Sequence, residues 1–151
     1  MKFLSALGFV LSGLAAGFAG AAEIYDLEAG EITLDSSAPA LITVNYSASN
    51  VGALAAPAPW WDSVYLTPDP SGATVSYRFP STRIADDLAP GGSYARSVTS
   101  PGRLIPPGDY YIRTVIASGY YIFGEPPEPP ENNLATFGPF THSLPPGVEA
   151  V

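Results

Sequence analysis

The chain has no cysteine and only one histidine and one lysine in 151 residues. Without cysteine there is no disulfide, no thiol nucleophile and no lipid-modified cysteine, so even in an oxidising compartment the fold must stand on its core. The lone histidine, His142, sits near the C-terminal end. A Ser/His/Asp apparatus would need that ring ordered beside a nucleophile. Asp86-Asp87 is a formal carboxylate pair, but adjacent residues of an extended strand point to opposite faces. No catalytic residue is assigned and no enzyme is expected. Cations are scarce too. Lys2, Arg78, Arg83, Arg96, Arg103 and Arg113 face fourteen acids, a formal charge of −8. Such a chain repels nucleic acid and anionic lipid and stays soluble.

The N-terminal segment reads as an export signal. Met1-Lys2 is a short positive start, and Phe3 to Phe18 carries no charge. Ala19-Gly20-Ala21-Ala22 offers the small side chains that a signal peptidase pocket admits. Cleavage after Ala21 or Ala22 is expected, making residues 1–21 the signal peptide. The alternative is an uncleaved anchor, since Phe3 to Ala22 is just long enough to span a bilayer; the glycines at 8, 13, 17 and 20 make it a poor one. The 130 residues left suit one domain over residues 22–141, followed by a flexible tail, 142–151. Removing Lys2 leaves five arginines against fourteen acids, a formal −9. A secreted, periplasmic or cell-surface location follows, without stable membrane insertion after cleavage.

Seventeen prolines and fifteen glycines punctuate the chain too often for a helical protein. Between them lie short runs with period-two alternation, the mark of half-buried strands. Ile42, Val44, Tyr46 and Ala48 alternate with polar neighbours. Ile112, Thr114 and Ile116 alternate with Tyr111, Arg113 and Val115, which places Arg113 toward water. Residues 24–34, 74–79, 93–99 and 134–140 read as further strands, with a bulge or bend at Gly30. Together with the Trp60 strand these make about seven strands, and the expected fold is all-β, an antiparallel immunoglobulin-like sandwich. Trp60, Asp62, Val64 and Leu66 share the inner face of their strand. A buried, unpaired carboxylate is very costly, so Asp62 is expected at the sandwich end, accepting backbone hydrogen bonds. Pro106-Pro107-Gly108 turning into Tyr110 has the pattern of a tyrosine corner, whose hydroxyl bonds back to nearby backbone.

Several short motifs, weak singly, occur in a fairly specific order. They are Ala48-Ser49-Asn50-Val51-Gly52, then Trp60 to Thr67, then Leu88-Ala89-Pro90-Gly91, then Leu104 to Tyr111, then Glu131-Asn132-Asn133. In this order they resemble the CARDB domain, the cell-adhesion-related module of bacteria. The resemblance runs from Asp26 to about Ala135. It implies an immunoglobulin-like, non-catalytic interaction module acting in adhesion or as an extracellular scaffold, with protein or glycan partners at a cell surface. The departure lies between Ser118 and Pro130, where the family's polar, Asp-containing loop is replaced by Gly119-Tyr120-Tyr121-Ile122-Phe123 and a proline-rich run.

Two binding readings stay open. Tyr120, Tyr121 and Phe123 form a concentrated aromatic run before a stiff, polyproline-like stretch, Glu125 to Pro130. They are the candidate contact residues; alternatively the segment is an edge strand with its rings folded onto the sandwich. Asp62, Asp109, Glu131 and Asn132 offer oxygen ligands of the kind calcium takes. They lack the spacing of a calcium loop, and turn capping is the preferred reading. No cofactor is expected. A glycan- or calcium-binding accessory module, or a fibre subunit that self-associates through edge strands, are the alternatives.

Overall fold

A computed structural model describes residues 24–35, 41–118 and 132–151. It is an antiparallel β-sandwich. The strands are β1 (Leu27–Asp35), β2 (Leu41–Asn50), β3 (Trp60–Thr67), β4 (Tyr77–Arg78), β5 (Thr82–Ile84), β6 (Ser93–Pro101), β7 (Gly108–Val115) and β8 (Leu134–His142). One sheet has three strands in the order β1-β2-β6. The other has five, ordered β4-β3-β7-β8, with β5 also paired to β3. β1 and β8 lie against each other where the two sheets meet.

The seven expected strands are present, with two differences. The Thr74 to Phe79 run contributes only Tyr77–Arg78 to the sheet, and Thr82–Ile84 beyond Pro80 is an eighth strand. Proline has no N–H for the ladder, so the β3 edge is paired in two short pieces on either side of it. At Gly30 the β1–β2 register shifts between Ala29 and Ile32, as a bulge requires.

The alternation in the sequence becomes the core. From β2 come Ile42, Val44, Tyr46 and Ala48; from β3 come Trp60, Val64 and Leu66; from β7 come Tyr110 and Ile112. Phe79, Ile84, Val98 and Ile105 fill between them. Trp60 is 1% exposed, whereas its neighbour Trp61 is 45% exposed. One step along a strand turns a side chain from the core to the outer surface.

The turn motifs have structural work. The Asn50 side chain donates to the Leu54 and Leu88 carbonyls at 2.7 and 2.9 Å, and accepts from the Asp26 and Gly52 N–H groups. Four hydrogen bonds satisfy a fully buried amide. The Tyr110 hydroxyl donates to the Pro106 carbonyl at 2.8 Å, which is the expected tyrosine corner. His142, assigned to the tail from sequence, is the last residue of β8 and is buried, its Nε2 3.0 Å from the Gly102 carbonyl oxygen. β8 continues two residues beyond the run read from sequence, and its last residue turns inward. No helix among the described residues is long and apolar enough to cross a membrane.

Candidate functional site

The most concentrated chemistry lies inside the sandwich. β3 turns Asp62 inward between Trp60 and Val64, leaving it 1% exposed. The opposite sheet meets it with two phenols. Tyr94 of β6 donates to Asp62 Oδ2 at 2.7 Å, and Tyr46 of β2 donates to the same oxygen at 3.2 Å. The other oxygen, Oδ1, accepts the Ala117 backbone N–H at 3.2 Å. Ala117 follows β7 with φ 55°, a left-handed conformation rare outside glycine, and its N–H bonds the carboxylate from that conformation. Trp60 Nε1 stands 3.4 Å from the Tyr94 hydroxyl, and the Arg96 guanidinium lies 5.3 Å above the Tyr94 ring.

The electrostatics follow from burial. Desolvation pushes the Asp62 carboxyl above the usual carboxylate range, against the pull of its three hydrogen bonds and of Arg96. Burial also raises both phenols above their ordinary value, and the neighbouring Asp62 charge adds to it. Both stay protonated, and so remain donors, across the physiological range. The arrangement is an inter-sheet clamp. Its carboxylate is covered and held by three donors.

Asp62 does accept a backbone hydrogen bond, as the sequence pattern led us to expect. Its two phenol partners come from strands 16 and 32 residues away, a pairing that no local motif encodes. The signal available in sequence was Tyr46 at an inward position of β2; Tyr94 lies in a run whose small polar residues hide its period.

The three described candidates among the four calcium ligands, Asp62, Asp109 and Asn132, are not brought together. Asp62 bonds Ala117, two residues beyond the end of β7, whereas Asp109 is the second residue of β7 and accepts from Thr141 at 2.7 Å. The strand from Asp109 to Val115 alone covers about 20 Å at the usual rise. Asn132 instead donates to Asp26 Oδ1 at 2.9 Å. Glu131 lies outside the described residues, as do Tyr120, Tyr121 and Phe123 and residues 1–21. Among the described residues no group of three or more His, Asp or Glu is placed to hold a metal.

A cleft of about 660 Å³ opens between the β1–β2 corner and the end of β8, lined by Leu34, Leu41, Ile42, Phe140, His142 and Leu144 among others. Residues 36–40, which connect two of its walls, are outside the described residues.

The flanks of the aromatic segment are described. The Ser118 hydroxyl bonds to the Trp61 carbonyl oxygen at 3.1 Å and lies 2.8 Å from the Ser63 hydroxyl. On the far flank, the Asn133 carbonyl accepts from Ile116 N–H at 2.8 Å. The Ser118 end is therefore tied to β3 at the exposed Trp61, and the Asn133 end to Ile116, just beyond β7.

No protein-family model and no curated protein sequence matches the chain. Among solved structures it is similar to the CARDB domain of a Pyrococcus furiosus protein, described in complex with di-metal ions. Identity is 18%, the TM-score is 0.51, and the match covers 76% of this chain and 91% of that domain. It is also similar to part of β-glucosidase 3B from Thermotoga neapolitana, a structure in complex with glycerol, at 17% identity and TM-score 0.50. That match covers 79% of this chain and spans 16% of the glucosidase. Both likenesses concern the fold, which is that of a CARDB-like sandwich.

Proposed function

We propose that the chain is an exported, non-catalytic interaction module of the CARDB kind, acting in adhesion or as an extracellular scaffold toward protein or glycan partners. The observation that carries this reading is the closure of the chemistry. The buried carboxylate, Asp62, is saturated by donors from both sheets. The histidine is committed to a backbone carbonyl at the end of β8. What the described residues offer outward is surface, and the fold is similar to a CARDB domain over 76% of this chain and 91% of that domain. The reading needs no cofactor.

The contact surface in this proposal is the segment holding Tyr120, Tyr121 and Phe123. Support comes from its flanks: Ser118 is anchored to β3 at the exposed Trp61, and Asn133 to Ile116 just beyond β7. A loop with fixed ends has less freedom to lose on binding, and tyrosines give large contact area with a polar tip. The test is the double change Tyr120→Ser with Tyr121→Ser. The melting temperature should stay within a degree or two, while binding of the exported protein to cells is lost. A collapse of the fold would instead assign these rings to the core. N-terminal sequencing of the exported protein, expected to begin at Ala22 or Glu23, tests the secretion half.

Self-assembly is a second reading, favoured by β6. This edge strand pairs with β2 over nine consecutive positions without a bulge. Such an edge is a template for another strand. A sizing measurement that depends on concentration decides for it.

A further inference from the structure

We propose that the outer face of the five-stranded sheet is a docking surface for a carboxylated polysaccharide, a uronate-bearing glycan laid along β3. The inference rests on the interaction-module reading above but places binding on different residues.

The registers define the face. Trp60, Asp62, Val64 and Leu66 of β3 point into the core, so Trp61 and Tyr65 point out. Directly opposite residues of an antiparallel pair share a face. Arg83 of β5 is opposite Trp61. Arg78 of β4 is opposite Tyr65 on one side, and Arg113 of β7 is opposite Tyr65 on the other. Three of the five arginines in residues 24–151 therefore surround two aromatic rings on one side of a chain whose net charge is −8.

These groups are available in different degrees. Arg113 is half-buried and crosses to the Ser71 carbonyl, packed over Gly72, where a side chain would collide with its guanidinium. It also shares its charge with Asp69 in that turn. Arg78 lies 4.9 Å above the Tyr65 ring and is exposed. Arg83 is exposed beside Trp61, itself 45% exposed. Neither Arg78 nor Arg83 has a carboxylate partner among the described residues. Trp61 and Tyr65 are four positions apart, about 13 Å at the usual strand rise. The face thus carries two ring-and-guanidinium stations along one strand, separated by Ser63, which is buried beneath the Ser81 and Ser118 hydroxyls.

The occupant follows from that chemistry. Guanidinium groups bind carboxylates in a two-pronged geometry, and the flat face of an exposed indole suits the C–H-rich face of a sugar ring. A polymer of carboxylated sugars presents both at intervals. An extended peptide would seek a sheet edge with free backbone groups; here the backbone of β3 is paired on both sides. A nucleic acid is a polyanion as well and meets the same net charge; an oligothymidylate probe separates the two.

The test is affinity electrophoresis and titration calorimetry of the full chain with polygalacturonate, with neutral dextran and a single-stranded oligothymidylate as comparison probes. Polygalacturonate should retard the wild type, dextran should not, and added salt should weaken the retardation because exposed charges are screened. Arg78→Gln with Arg83→Gln should weaken binding about tenfold or more, the scale of losing one good charged contact. Trp61→Ala should weaken it severalfold at an unchanged melting temperature. The Tyr120→Ser, Tyr121→Ser protein should bind polygalacturonate as the wild type does. The proposal is overturned if the wild type ignores polygalacturonate, or if both the arginine and the Trp61 variants bind it normally. Equal retention of oligothymidylate would also overturn it, reducing the face to a generic cation exchanger. If only the tyrosine variant loses binding, the loop is the glycan site and this face is not.

Discussion

The Tyr94 hydroxyl of one sheet is 2.7 Å from Asp62 Oδ2 of the other, the shorter of the two phenol bonds that join the layers of the sandwich. Hydrophobic packing between sheets is non-directional, and it tolerates some sliding of one layer over the other. A charged acceptor bonded by two phenols does not, because a displacement of an ångström breaks the bonds and strands a buried carboxylate. The clamp therefore fixes how the sheets sit over each other.

Tyr94→Phe removes the stronger donor and keeps the ring. It should destabilise the fold by about 1–3 kcal/mol, the cost of leaving a buried polar partner unsatisfied. Chemical denaturation of the single variants and of the double variant with Asp62→Asn measures the coupling. A coupling of about 0.5–3 kcal/mol is expected for residues in one network. Strict additivity would mean that the phenol and the carboxylate stabilise the fold independently.

The Asp62 carboxyl is raised above its ordinary value of 3.8 by burial. The sign of the pH effect follows. Between the unfolded value and the raised folded value, the native state binds more proton than the unfolded chain. Stability then falls as pH rises through that window, and this group's contribution is fully present below the unfolded value. In Asp62→Asn that component vanishes. Melting temperatures followed upward from about pH 3.8 should therefore show the wild type losing stability relative to Asp62→Asn. A wild type that instead gains on the variant through that window would mean that the three donors and Arg96 outweigh desolvation.

Adjacent tryptophans should behave as opposites. Trp60→Ala empties a packed core position and should cost about 3–5 kcal/mol. Trp61→Ala removes a ring that is 45% exposed and should cost about 0.5 kcal/mol or less. Denaturant midpoints of the two variants check both. Equal losses would mean that Trp61 is covered in the complete chain.

How much of this was legible depended on how local the cause is. Strand alternation is local, so Ile42 to Ala48 and Trp60 to Leu66 could be assigned to a core face from sequence alone. The Tyr110 corner closes over four residues and could be read the same way. Asp62 could be placed inward by its period, and its need for donors followed from the cost of burying charge. Its actual partners could not be read, because Tyr46 and Tyr94 reach it only once the two sheets stack. The arginine face is hidden for the same reason. Arg78, Arg83 and Arg113 have nothing in common along the chain and meet only through the registers of three strand pairs. β5 was missed because three residues after a proline carry too little pattern to announce a strand.

The Asn-x-Gly motif at the end of β2 gives a last expectation. Asn50 holds the N-terminal segment through Asp26 N–H and the following turn through Gly52 N–H and the Leu54 carbonyl. That hub brings Gly52 under the backbone of residues 24–26. A β-carbon there would sit 2.5 Å from Asp26 N and 2.7 Å from the Tyr25 carbonyl carbon. Those are backbone atoms, fixed by the Val51 and Ala53 N–H bonds to the Asp26 and Ile24 carbonyls, so the collision cannot be relieved by a rotamer change. Gly52→Ala should cost about 1–3 kcal/mol as an overpacked site, and hydrogen exchange should accelerate first in residues 24–27. Gly91→Ala is the matched control. Its φ is +72° with open space around the added carbon, so only the backbone preference is lost, about 1 kcal/mol, and the N-terminal segment should stay protected. If the two substitutions cost the same and loosen the same amides, the glycine at position 52 is there for its dihedral freedom and not for the close approach of the first strand.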